Sequence, residues 1–227
     1  MTSTSSRHSA TVDAPAEPRT SRKRRAILQA ATTVFLRKGY VGTSMDEIAA
    51  LATVSKQTVY KHFADKETLF SELVAERVTR RAGMNDTAFL RSDELPGRAA
   101  AGYLSNDSPR TNVFHLPVLG SGDGGIYTTL ADVHALWDAL FAGVVVAEDV
   151  VQEMTRPIST VPPHYAYGLG LWLDPRFDAV LLEGADAGVS FRSIHRRATG
   201  TTHTVISNTT DGAWPITELI EDHIRGT

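Results

Sequence analysis

The side chains with most to offer chemically stand close together between residues 43 and 66. Lys56, Gln57, Thr58, Tyr60, Lys61 and His62 fall within seven positions, with Thr43, Ser44 and Ser55 ahead of them and Lys66 just after. Lysine and glutamine can address guanine and adenine edges, and threonine a thymine methyl, so the set suits an acidic, grooved duplex. Elsewhere the reactive types are scattered. His115, His134, His164, His195 and His203 show no metal spacing with a third ligand, and the lack of cysteine removes disulfides, thiolate zinc sites and cysteine nucleophiles. Gly120 to Gly125 is glycine-rich, but no Gly-Lys-Ser/Thr follows, so a plain loop is expected instead of a phosphate cradle. Asp186 and Glu183 are candidates for lining a remnant pocket. No cofactor and no metal are expected.

Two short helices must position the first set. Ser44 precedes Met45, Asp46 and Glu47, the pattern of a capping box in which the serine hydroxyl accepts from a free amide while Glu47 reaches back. Met45, Ile48, Ala49 and Ala52 follow at helical spacing up to Thr53. Ser55 then opens Lys56 to Phe63, where Val59 and Phe63 lie four apart and face inward. Lys56, Gln57, Thr58, Lys61 and His62 are left outside. Such a pair is what a helix-turn-helix needs to read a major groove, and a helix N-terminus attracts phosphate. Ile27, Ala30, Ala31, Val34 and Phe35 make the inner stripe of a supporting helix that Gly39 stops. Arg19, Arg22, Lys23, Arg24 and Arg25 read as an arm or helix end laid on phosphates. A fourth helix, with Leu69, Phe70, Leu73 and Val74 as its buried stripe, runs through about Arg81.

The order of Phe35, Gly39-Tyr40, Thr43-Ser44, Ile48-Ala49, Val54-Ser55, Val59-Tyr60, His62-Phe63 and Lys66-Glu67-Thr68-Leu69 carries a resemblance. Residues 22 to 81 resemble the DNA-binding domain of TetR-type bacterial transcriptional repressors. The resemblance implies that the helix from Ser55 to His62 enters the groove of a double-stranded DNA operator and that Tyr60, Lys66 and Thr43 meet phosphates. It also implies that two readers act together on palindromic half-sites. Thr53 stands where such domains usually carry a turn glycine. If that position needs positive φ, the threonine is strained there by roughly 1 to 2 kcal/mol.

Charge divides the chain of 227 residues. Residues 1 to 83 hold 14 Lys+Arg against 8 Asp+Glu, and residues 84 to 227 hold 9 against 18, so a basic part precedes an acidic one. All five lysines precede residue 67. Residues 1 to 20, rich in Ser, Thr, Ala and Pro, read as a disordered tail; 21 to 82 as an all-α helix-turn-helix domain; and 83 to 227 as an α+β segment with antiparallel strands and a C-terminal helix. No apolar run approaches a membrane span and no apolar signal region opens the chain, so a cytoplasmic protein without a membrane partner is expected. In the α+β segment, helices are expected at Thr129 to Phe141 and Glu148 to Met154. Strands are expected at Tyr165 to Leu173, Ala179 to Glu183, Gly188 to His195 and Thr202 to Ser207. Pro215 is expected to lead a last helix whose Ile216, Leu219, Ile220 and Ile224 cover the sheet.

The blocks GMNDTAFL (83 to 90), AAGYL (100 to 104), GSGDGGIYTTLADVHALWDAL (120 to 140), YGLGLWL (167 to 173) and EGADAGVSFRS (183 to 193) resemble the C-terminal portion of serine β-lactamase and penicillin-binding-protein-like hydrolases and esterases. A partial fold of that type is implied, deprived of N-terminal strands and a partner helix, with an unpaired edge and an uncovered apolar face. The departures concern the chemistry. Those enzymes attack with Ser-x-x-Lys, which does not occur here, and Tyr103-Leu-Ser-Asn106 has the wrong spacing for a Tyr-x-Asn element. Leu182-Glu183-Gly184 stands where a basic residue would be expected, so no acyl-serine chemistry is expected from this chain alone. The reading is therefore a sequence-specific DNA-binding regulator, as a repressor and as a homodimer through an atypical interface, with an unidentified effector. The alternative is a catalytically incomplete β-lactamase or esterase-like module, or a fused gene product without hydrolase activity.

Overall fold

In a computed structural model of the chain, the described residues are 18–105, 107–120 and 124–225. Most of the expected tail, residues 1–17, lies outside them, as do Asn106 and residues 121–123 of the glycine-rich loop. Two compact units divide the chain at Lys66.

The first unit holds three helices: α1 (Arg19–Gly42), α2 (Met45–Leu51) and α3 (Lys56–His62). The helix α1 starts inside the stretch expected to be a tail. Its stripe of Ile27, Leu28, Ala30, Ala31, Val34 and Phe35 is buried with Met45, Ile48 and Ala49 of α2 and with Val59 and Phe63. Full burial of each large aliphatic or aromatic side chain in this cluster contributes about 1.5 to 3 kcal/mol. Gly39, at φ 70°, breaks the α1 helix path, and the Thr43 hydroxyl donates to its carbonyl at 2.7 Å. Ser44 caps α2 by accepting from the Glu47 amide at 3.3 Å. The other arm expected of a capping box is drawn elsewhere: the Glu47 carboxylate takes Lys38 at 2.8 Å and also Arg37, both on α1. The Lys38 hydrogen bond comes first among the causes that hold Glu47 below the usual carboxylate range.

Thr53 adopts φ 55°. The Val54 amide reaches back to the Ala49 carbonyl and the Thr53 amide to that of Ala50, closing α2 with the paired bonds of a Schellman turn. A β-branched residue in this region is strained, because its Cβ crowds its own backbone.

The second unit begins along α4 (Lys66–Val74), which passes through a wide turn at Ala75–Thr79 into α5 (Arg80–Ala82). Gly83 at φ 73° ends this run. Ala82 and Met84 are buried with Ala139 and Val145, so the end of the run packs beside α6 (Leu130–Phe141). The second compact unit takes in this run from Glu67 onward. Asp132, buried in the first turn of α6, accepts from the Asp86 amide at 2.8 Å and the Thr87 hydroxyl at 2.6 Å and ties the 83–90 block to this helix. A short hairpin, β1 (Tyr103–Ser105) with β2 (Ser108–Thr111), was not foreseen. After α7 (Glu148–Met154), six strands follow as one antiparallel sheet in sequence order: β3 (Ser159–Val161), β4 (Tyr165–Tyr167), β5 (Trp172–Asp174), β6 (Ala179–Asp186), β7 (Val189–Arg196) and β8 (Thr201–Ser207). Among the described residues no helix is long and apolar enough to cross a membrane.

The expected strand from Tyr165 to Leu173 is a hairpin. Gly170 takes φ 76°, the Gly168 amide bonds the Leu171 carbonyl at 2.9 Å, and the chain reverses from β4 into β5. Alternating side chains therefore do not share a face: Ala166 is buried together with Leu171 and Leu173. Their cluster includes Val133, Trp137, Leu140, Val151 and Val180, the layer between the sheet and α6 with α7. Within this layer Trp137 donates to Ser193 at 2.8 Å, and His195 stacks on Phe141 with centroids 4.7 Å apart. Burial pushes the His195 imidazole below its ordinary range.

The last helix, α8 (Ala213–Arg225), covers β7 and β8 on the opposite face. It begins two residues before Pro215, and it is rolled relative to expectation. Ala213, Thr217 and Glu221 are the buried line, while Ile216 and Leu219 stay 47% and 67% exposed. The reason is electrostatic. Arg196 and His203 stand on this face of the sheet, and Glu221 meets them at 2.7 Å and 3.1 Å. A buried guanidinium without a carboxylate costs about 3 to 5 kcal/mol, more than burying one further isoleucine contributes. The helix accordingly turns its acid inward.

Replacing Thr53 by glycine removes the αL strain at no cost in contacts. Thr53→Gly is expected to stabilise the first unit by about 1 kcal/mol, read as a rise of a few degrees in its thermal midpoint by circular dichroism.

Candidate nucleic-acid interface

The α3 helix is held from below and decorated above. Val59 and Phe63 are buried at 0% and 1% exposure, which fixes the helix by one face. Ser55 caps its start, accepting from the Thr58 amide at 3.2 Å, and the two hydroxyls lie 2.9 Å apart. Lys56, Gln57, Tyr60 and Lys61 face solvent, with Tyr60 44% exposed. Gln57 and Tyr60 are thus outside the body of the unit, where a groove can reach them.

Lys56 is not idle. Its ammonium sits 2.8 Å and 3.0 Å from the two carboxylate oxygens of Asp46 on α2, and 6.0 Å from the Tyr60 ring centroid. The Asp46 hydrogen bond is the first cause raising the Lys56 pKa. Such an exposed pair is worth little in stability, yet it orients a flexible side chain along the helix. Asp46 escaped the sequence reading because its partner lies ten residues on, across a turn.

At the far end of α3, His62 is half-buried. Burial comes first, and the charges of Arg24, Lys61 and Lys23 next, in pushing its imidazole below the ordinary range. The Arg24 guanidinium carbon lies 5.2 Å from the Phe63 ring centroid. Folding therefore brings the basic start of α1 beside the end of α3, joining two positive stretches nearly forty residues apart in sequence.

Two of the sequence-predicted contacts sit differently. Thr43 is 4% exposed and its hydroxyl proton goes to Gly39, so in this arrangement it shapes the turn before α2 and presents no donor to a phosphate. Lys66 points inward: its ammonium donates to the Tyr40 carbonyl at 3.0 Å and the Thr43 carbonyl at 3.3 Å, and lies 4.4 Å from the Tyr40 ring centroid. Both hold the chain reversal between α1 and α2. Ser44 and Ser55 are exposed, each with its hydroxyl engaged in capping.

In the second unit, Glu183 is bound across the β6 and β7 pair to Arg192 at 2.6 Å, and Asp186 accepts from the Ala187 amide at 2.7 Å in the turn between those strands. His203 is pushed below its ordinary range, first by burial, against the opposing pull of Glu221. A cavity of about 310 Å³ opens between α8 and the sheet, lined by His164, Tyr165, Phe177, Leu181, Glu218 and Asp222 among others.

Residues 27–73 match the family described as "Bacterial regulatory proteins, tetR family". This stretch is a TetR-type domain. Its curated relatives include an uncharacterized HTH-type transcriptional regulator, YhgD, of Bacillus subtilis, 47% identical over 51 residues, 22% of this chain and 27% of that protein. The DNA-binding transcriptional repressor TetR of Mycobacteroides abscessus is 39% identical over 69 residues, 30% of this chain and 36% of that protein. The chain thus spans about a third or less of the curated relatives it matches through the TetR-type domain.

The rest of the chain has neighbours among solved structures. A penicillin binding protein from Bacillus halodurans superposes with a TM-score of 0.65 at 27% identity, covering 78% of this chain and 52% of that one. A D-stereospecific amidohydrolase from Streptomyces sp. superposes at 0.52 with 18% identity, over 78% and 59% of the two chains, a likeness of fold alone. The residues after the TetR-type domain form a β-lactamase-like arrangement of antiparallel sheet and C-terminal helix, and the chain spans about half the length of the penicillin binding protein.

Lys66 offers a direct check on its position. Lys66→Met keeps the stem and removes three donors, and it is expected to destabilise the first unit by about 1 to 2 kcal/mol in urea unfolding. A lysine extended into solvent would give almost no change.

Proposed function

We propose that the protein is a sequence-specific DNA-binding transcriptional regulator, acting as a repressor, whose TetR-type domain reads duplex DNA with α3. The observation that carries this reading is the division of α3 into a buried anchor, Val59 with Phe63, and an outward row of Lys56, Gln57, Tyr60 and Lys61. Lysine and glutamine there meet base edges, Tyr60 and Lys61 meet phosphates, and the basic start of α1 adds salt-dependent affinity. The protein acts as a homodimer on an operator with two half-sites, works in the cytoplasm and needs no cofactor. Its effector is a ligand of the second unit.

The test is selection of sites from a random duplex pool by the full chain, followed by mobility shift on the selected site. Gln57→Ala is expected to relax base preference at a cost of about 1 to 3 kcal/mol. Tyr60→Ala with Lys61→Ala is expected to weaken binding to all sequences alike. Recovery of no enriched site, or shifts unchanged by these substitutions, overturns the reading.

A second reading is favoured by the 27% identity to the penicillin binding protein: a hydrolase-related module carrying a DNA-binding domain. The absence of Ser-x-x-Lys argues against activity of its own. Incubation of the purified chain with nitrocefin is expected to give no turnover above buffer, and a saturable rate would favour this second reading.

A further inference from the structure

The β8 strand ends the sheet with one side open. Just beyond it, the Asn208 carbonyl accepts from the Tyr103 amide at 2.8 Å, which leaves Thr201 to Ser207 as the free stretch among the described residues. Soluble proteins protect such edges with lysine, proline, inward charges or bulges. This one reads Thr-Thr-His-Thr-Val-Ile-Ser and has none of these. Ile206 is 39% exposed on it.

The α8 helix adds to the same side. At about 100° per residue, Glu218 with Asp222 and Ile216 with Ile220 lie on opposite flanks of the buried line Ala213, Thr217 and Glu221. Glu218 and Asp222 line the cavity over β4 to β7, so the flank bearing Ile216 and Ile220 looks toward the β8 edge. The most exposed apolar residue of the helix, Leu219, points away from both.

We propose that this surface, the β8 edge with the Ile216 and Ile220 flank of α8, joins two copies of the chain across a two-fold axis, β8 against β8 and α8 against α8. Strand spacing selects the occupant. The α8 helix lies over β7 and β8 alike, and the two-fold axis of an antiparallel β8 pair falls half a strand spacing beyond β8. With strands about 4.8 Å apart, the two helices then stand about 10 Å apart, within packing range of one another. A symmetric pairing about Thr204 sets Thr201 opposite Ser207 and His203 opposite Val205. No Asp, Glu, Lys or Arg of the strand is brought against its copy, although this part of the chain is strongly acidic. The inference deepens the homodimer named in the proposed function and rests on that part of it. It is tested without DNA, so its failure leaves the reading of α3 untouched.

Sedimentation velocity of the full chain is expected to show a monomer to dimer shift over the micromolar range. Ile216→Glu is expected to weaken the dimer on the order of tenfold or more. Leu219→Glu removes a more exposed apolar group from the wrong side and is expected to leave it unchanged. Amide exchange across Thr202 to Ile206 is expected to slow as concentration rises, a readout that needs no variant and decides the matter if Ile216→Glu fails to fold. A monomer throughout, equal loss of dimer in both variants, or exchange in β8 independent of concentration overturns the proposal.

Discussion

A seven-residue helix has little stability of its own in water, since its few hydrogen bonds barely offset the cost of starting it. The α3 helix exists because Val59 and Phe63 are held in the cluster of Ile27, Val34 and Ile48, with Ser55 fastening its first turn. The same anchoring sets which side chains face outward. A change at Val59 would therefore shift the outward row of Lys56, Gln57, Tyr60 and Lys61 without touching any of them. Asp46 and Lys66 extend this logic: one steadies the outward lysine, the other locks the reversal that sets α2 at its angle to α1.

A second constraint governs the β-lactamase-like part. Arg196 lies under α8, and its need for a carboxylate overrides the apolar stripe that the helix carries. The helix therefore spends Thr217 and Glu221 on the sheet and keeps Ile216 and Leu219 outside. Hydrophobic periodicity alone centres the buried face about a quarter turn away, and Ile220 and Ile224, nearest the observed line, stay half-buried. The conflict between local pattern and tertiary demand is informative, because a sequence tolerates an exposed isoleucine more readily where another surface can take it.

What was legible in the sequence follows from the range of the forces involved. Ser44 and Ser55 cap the helices expected of them because a cap acts over three residues. Gly39 and Thr53 carry positive φ where turn chemistry asks for it. Strands β6, β7 and β8 lie where strands were expected, over Ala179 to Glu183, Gly188 to His195 and Thr202 to Ser207. Alternation misled at Tyr165 to Leu173, where the period of two persists through Gly168 to Leu171 although the chain reverses there. Pairs far apart in sequence were out of reach: Asp46 with Lys56, Lys66 with the Tyr40 carbonyl, Glu221 with Arg196. None is marked by spacing, and each changes what its residues do.

The two margins of the six-stranded sheet are unlike. The β3 strand has three residues and runs directly into Pro162 and Pro163, neither of which has an amide proton to offer a neighbour, whereas β8 presents seven residues without interruption. Lateral growth through the sheet thus has one usable side per molecule. Association of this kind closes on itself at its first step, and the geometry that permits a pair forbids a filament.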